Sequence, residues 1–130
     1  MNSSTAPEEN RFTVLLAEDE PMLRRVVGVT LRLGGFAVIE AADGTAGLEI
    51  LQSDTSIDML LTDVKMPGLN GYQLAEAGLS LRPGMRVMLM TGYADEAIPD
   101  VIREASIPIL RKPFNFDNLA TSVRNVILSN

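Results

Sequence analysis

The sequence predicts an α/β fold, a single doubly wound sheet of five parallel strands with five helices on its two faces. Three observations predict it. Five short apolar runs alternate with stretches whose apolar residues recur at helical spacing. The runs are apolar at successive positions, the mark of parallel strands covered on both faces. The chain is 130 residues long, the size of one domain able to bury its own core. Right-handed crossovers then leave few topologies.

The elements follow in order. Residues 1–10 are polar and read as a flexible N-terminal tail, with one domain over 11–130. Thr13-Val14-Leu15-Leu16-Ala17 is the first strand. Pro21 opens a helix with Leu23, Val26, Val27, Thr30 and Leu31 on one stripe, and Gly34-Gly35 ends it. Ala37 to Ala41 is the second strand. Asp43 caps a helix running to about Ser53, with Ile50 and Leu51 inward. Ile57 to Thr62 forms the third strand, which stops at Asp63 in a loop holding Pro67-Gly68 and Asn70-Gly71. A short helix over Tyr72 to Ser80 turns Leu74 and Ala77 to one face, and Arg82-Pro83-Gly84 makes a turn. Arg86 to Met90 is the fourth strand, ending at Thr91-Gly92. A helix over Pro99 to Ala105 precedes a fifth strand, Ile107 to Arg111. Asn115 or Asp117 caps a last helix striped by Leu119, Val123, Val126 and Ile127. Met85, Met88 and Met90 read as core filler.

Composition excludes much. Without cysteine there is no disulfide, thiol nucleophile or thiolate metal site. Without histidine there is no imidazole base, zinc ligand or phosphate carrier. Carboxylates, hydroxyls and amines are what remain for chemistry. A net charge of -6 with no Lys/Arg cluster points away from nucleic acid. No apolar run reaches membrane-spanning length and the start lacks a signal-peptide core, so a cytoplasmic setting is expected.

In a parallel sheet the residues just past the strand ends gather at one edge, where such folds bind ligands. Glu18-Asp19-Glu20 follows strand one, Asp63 strand three, Thr91 strand four and Lys112 strand five. Crowded carboxylates repel unless a hard cation sits between them, and magnesium suits such oxygen donors. A hydroxyl and an ammonium beside them complete a site able to neutralise a phosphoryl group in flight. Asp63 is then a carboxylate nucleophile. Each residue alone has an ordinary reading: a helix-capping acid, a turn aspartate, a strand-end hydroxyl, a solvated lysine. Their joint placement at four strand ends carries the argument.

Four motifs, in order, carry a family resemblance. They are Leu15-Leu16-Ala17-Glu18-Asp19-Glu20-Pro21, Leu60-Leu61-Thr62-Asp63-Val64-Lys65-Met66-Pro67-Gly68-Leu69-Asn70-Gly71, Met90-Thr91-Gly92-Tyr93-Ala94, and Leu110-Arg111-Lys112-Pro113-Phe114. Over roughly residues 12–128 the chain resembles the receiver domain of two-component response regulators. The resemblance implies a flavodoxin-like sheet of strand order 2-1-3-4-5. It implies that Asp63 accepts a phosphoryl group, that Asp19 is the main Mg²⁺-binding acid with Glu18 assisting, and that the Lys65 backbone carbonyl is a further ligand beside Asp63. It assigns Thr91 the switch hydroxyl and Lys112 a phosphoryl contact, with a cis Lys112–Pro113 bond. It implies a histidine kinase or histidine phosphotransfer protein as donor and a downstream protein as target, reached through a switched surface of the fourth helix, fifth strand and fifth helix. A monomer or weak homodimer is expected, and a signalling domain that assists its own phosphorylation and dephosphorylation rather than an enzyme.

The chain departs from the family pattern at Ile109, where an aromatic residue often stands, and Tyr93 is a candidate gate in its place. Met90 to Ala94 resembles receivers attached to hybrid kinases and, loosely, a stand-alone subgroup. Two other functions fit the sequence less well. A magnesium phosphatase of the haloacid dehalogenase type places its nucleophile after the first strand in an Asp-x-Asp pattern, where this chain has Glu18-Asp19-Glu20. A binding module without phosphorylation has no use for Asp19, Asp63, Thr91 and Lys112 together.

Overall fold

The computed structural model describes residues 11–92 and 98–129. The expected tail over 1–10 and the candidate gate Tyr93 lie outside the described residues. Strands β1 (Thr13–Ala17), β2 (Ala37–Ala41), β3 (Met59–Asp63), β4 (Arg86–Thr91) and β5 (Ile109–Arg111) form one parallel sheet in the order β2-β1-β3-β4-β5. Helices α1 (Pro21–Leu33), α2 (Gly44–Gln52), α3 (Gly71–Leu81), α4 (Asp100–Glu104) and α5 (Leu119–Leu128) connect and cover it. The expected doubly wound, flavodoxin-like arrangement is therefore present.

The sheet separates two apolar layers. Leu15, Leu60 and Leu89 point to the side of α2, α3 and α4, where they meet Leu51, Leu74 and Ile102. Leu16, Leu61 and Met90 point the other way and meet Val27, Leu31, Phe36 and Val123 of the α1 and α5 side. Residue alternation along each strand produces this division. β1 and β3 are buried almost throughout, which is why their sequences are apolar at successive positions. Each fully buried leucine is worth about 1.5–3 kcal/mol of transfer free energy. Met85, Met88 and Met90 are buried, as their reading as filler required.

Two arginines tie ends together. Arg124 of α5 donates to the Gly34 carbonyl at 2.7 Å, and its guanidinium lies 4.8 Å from the centre of the Phe36 ring. Arg82, just past α3, donates to the Leu51, Thr55 and Ser53 carbonyls at 3.1, 2.6 and 2.8 Å. It thereby caps the carbonyls that the C-terminus of α2 leaves without helical partners.

The structure moves some expected boundaries. β5 begins at Ile109, because Pro108 has no N–H to give the ladder and offers only its carbonyl, to Leu89 N. β3 begins at Met59, and the Asp58 carboxylate instead accepts from Thr13 N at 2.7 Å. Val26 is 41% exposed, not inward. Leu23, Val27 and Leu31 take the inner line of α1, and Val26 falls about 100° round the helix from Val27. On α3 the buried positions are Gly71, Tyr72, Leu74, Ala75 and Gly78, and Ala77 sits at their margin. Asn115 caps a short 3₁₀ turn (Phe116–Asn118), so α5 starts at Leu119 without a side-chain cap.

Candidate functional site

The three consecutive acids after β1 are sorted by the backbone. Glu18 N donates to the Ala41 carbonyl at 3.1 Å, which extends the ladder one residue and draws Glu18 into the sheet edge. Glu18 is 0% exposed. Glu20 caps α1, its carboxylate accepting from Met22 N and Leu23 N at 3.1 and 2.7 Å. Asp19 lies between them, half-buried. Glu18, Asp19 and Asp63 each bring one carboxylate oxygen to within 4.8 Å of the others.

Asp63 closes β3 and is buried. Its backbone is fixed by the fit of the following loop. Gly71 N donates to Val64 O at 2.8 Å, and a Cβ on Gly71 would stand 2.0 Å from the Asp63 carbonyl oxygen. Glycine is therefore required at 71 by close approach. A capping box between Asn70 and Gln73 then starts α3.

Lys112 follows β5, and its peptide bond to Pro113 is cis, as expected. Lys112 N donates to Thr91 O at 2.8 Å, which joins the ends of β4 and β5. The Lys112 ammonium donates to Asp63 at 3.0 Å and to Glu18 at 3.3 Å. Thr91 is buried at the end of β4, and Lys65, Gly92, Asp63 and Lys112 line a cavity of ≈ 410 Å³. Ile109 is half-buried and packs on the α2–α4 side of the core.

Electrostatics follow from this crowding. Burial raises the Glu18 carboxyl to about 7, against a lowering hydrogen bond from Glu20 N–H, and the Asp63 charge adds to the rise. Burial alone pulls Lys112 down. The hydrogen bond and charge of Asp63 and the charge of Glu18 outweigh it and hold the ammonium above its ordinary value. The Lys112 ammonium meets the Asp63 and Glu18 carboxylates, and Asp19 brings a third carboxylate to the cluster. The donor set is all oxygen, and the chain has neither histidine nor cysteine, so it fits a hard divalent cation of the Mg²⁺ kind. All the expected side chains but Tyr93 and the solvent-exposed Lys65 are thus buried or half-buried at one sheet edge.

Comparison with known proteins identifies the family and agrees with the fold. The family model for the response regulator receiver domain matches residues 14–124. The chain belongs to this family. Among relatives, the receiver domain is 31% identical over 117 residues to the response regulator receiver protein CpdR of Brucella abortus, covering 89% of this chain and 97% of that one. It is 33% identical to part of the sensor kinase CckA of the same organism, covering 88% of this chain but 12% of the kinase. A solved receiver domain from Clostridium thermocellum superposes with a TM-score of 0.80 at 29% identity, covering 89% and 94% of the two chains. No helix among the described residues is long and apolar enough to cross a membrane.

Two site-shaping residues, Gly71 and Arg24, escaped the sequence reading. Gly71 was seen only as loop punctuation. Arg24 carried no signal, since an arginine on a helix is ordinarily solvated; only its donation to the Glu18 carbonyl at 2.8 Å reveals it.

Proposed function

We propose that this receiver domain, over residues 11–130, accepts a phosphoryl group on Asp63 from a histidine kinase or histidine phosphotransfer protein and then controls a protein partner in the cytoplasm. The observation that carries the reading is the Lys112 ammonium held between the Asp63 and Glu18 carboxylates. A carboxylate already paired to a fixed cation is positioned as a nucleophile, and that cation is in place to meet charge arriving on it. An Asp63 oxygen attacks phosphorus, the donor's P–N bond breaks, and an aspartyl phosphate remains. Lys112 then exchanges its carboxylate contact for a phosphoryl oxygen. Asp19, Glu18, Asp63 and the Lys65 carbonyl would hold Mg²⁺, which neutralises phosphoryl oxygens when bound. Thr91, at the neighbouring strand end, supplies a hydroxyl to the phosphoryl group. Its movement biases the surface of α4, β5 and α5 between two states. The domain is a phosphoacceptor that assists its own modification and its reversal, not an enzyme turning over a separate substrate.

The test is intact-protein mass spectrometry after incubation with Mg²⁺ and acetyl phosphate, beside Asp63→Ala. A labile gain of about 80 Da, one phosphoryl group, is expected only with Asp63 present and only without EDTA. A folded protein that gains no mass would overturn the reading in favour of a phosphorylation-independent binding module.

A further inference from the structure

We propose that Arg24 is the positioning residue of the acidic pair, holding the backbone at Glu18 so that Glu18 and Asp19 meet a divalent cation in a fixed arrangement. This rests on the reading of Glu18, Asp19 and Asp63 as a Mg²⁺ site. Arg24 stands in the first turns of α1. Its guanidinium reaches back to the Glu18 carbonyl at 2.8 Å and sideways to the Glu40 carboxylate of β2 at 3.5 Å. Glu40 is itself held by Arg32 at 3.0 Å, so Arg24 has an anchored partner rather than a free side chain. Gly28 leaves room for this, since a Cβ there would come within 3.1 Å of the Glu40 carboxylate and 3.2 Å of the Arg32 guanidinium.

The carbonyl that Arg24 meets lies beyond the paired ends of β1, whose register with β2 and β3 stops at Ala17. Glu18 donates its N–H to the Ala41 carbonyl, its carboxylate accepts from Glu20 N–H and Lys112, and its carbonyl accepts from Arg24. The strand, the helix cap, the lysine and the arginine thus fix the residue from four sides. The rigid fork of a guanidinium lets one side chain serve a carbonyl and a carboxylate together, which an ammonium on a flexible stem does less well. A partly exposed ion pair at 3.5 Å contributes little by itself, so the contact to Glu18 is the one that gives Arg24 a role.

The sign of the effect separates positioning from charge. Removing a cationic side chain near a cation site strengthens cation binding by Coulomb's law alone. Loss of a positioning residue weakens it, by about tenfold or more for outer contacts to metal ligands. The experiment is calorimetric titration of the full chain with MgCl₂, comparing wild type, Arg24→Met and Arg24→Lys, with thermal unfolding in EDTA run alongside. Arg24→Met is expected to weaken Mg²⁺ binding about tenfold, and Arg24→Lys to weaken it less. Wild-type or tighter binding by Arg24→Met overturns the proposal. If Arg24→Met shows no folded state in EDTA, Arg24→Lys decides: weakened binding supports the proposal and wild-type affinity overturns it. Failure of the wild type to bind Mg²⁺ overturns the site reading and this inference with it.

Discussion

Glu18 makes the metal-free domain sensitive to pH in a way that one substitution can isolate. Its carboxyl rises from 4.5 to about 7, chiefly through burial, with the charge of Asp63 adding to it. The folded state therefore keeps a proton that the unfolded chain gives up. The stability tied to that proton is complete below pH 4.5 and is lost as pH climbs to about 7. A rise of that size corresponds to at most about 3 kcal/mol. Glutamine has nearly the same shape, still accepts from Glu20 N–H, and never ionises. Urea unfolding in EDTA at about pH 5 and about pH 8 is the assay. The wild type is expected to lose about 2–3 kcal/mol between them, apart from changes shared with Glu18→Gln. At the higher pH, Glu18→Gln is then the more stable protein. Added Mg²⁺ reverses that order, because a ligand that binds the folded state stabilises the wild type by mass action and the variant's uncharged amide is the weaker donor. Equal pH slopes for the two proteins in EDTA would refute the reasoning.

Other expectations concern packing. Gly71→Ala forces a methyl against the Asp63 carbonyl and Val64 Cα; it should cost about 1–3 kcal/mol in urea unfolding and slow labelling by acetyl phosphate, and a wild-type rate would show that the Asp63 backbone is not held there. Arg82→Ala strips the carbonyls at the end of α2 and should cost about 2 kcal/mol. Because Arg82 stands at the opposite sheet edge from Asp63, its labelling rate should match wild type. Leu61→Ala empties a fully buried site on β3 and should cost about 2–5 kcal/mol by the same assay.

The fold was legible because each strand is a short apolar run and each connection carries a helical stripe. The site was legible because its residues follow strand ends, and a parallel sheet brings strand ends together. What stayed hidden depends on neighbours distant in sequence. Val26 and Val27 are equally apolar, and only the seating of α1 against β2 and α5 turns one inward. Glu18, Asp19 and Glu20 are three adjacent acids. Sequence assigned Asp19 and Glu18 by resemblance, while the cap made by Glu20 and the burial of Glu18 needed coordinates. Pro108 announced the late start of β5, a signal the periodicity reading passed over. Arg24 and Arg82 act on backbone carbonyls, which are the same in every residue and leave no trace in a sequence.

The strand order has a consequence for how this chain acquires its shape. β1 is paired on both edges, but its second partner, β3, arrives late: Thr13 N meets the carboxylate of Asp58, 45 positions along the chain. A nascent segment ending with α2 could pair β1 with β2 and still leave the other edge of Val14-Leu15-Leu16 open. Such an apolar edge is a template for pairing with another molecule. The interval between synthesis of α2 and docking of β3 is therefore one in which self-association competes with folding.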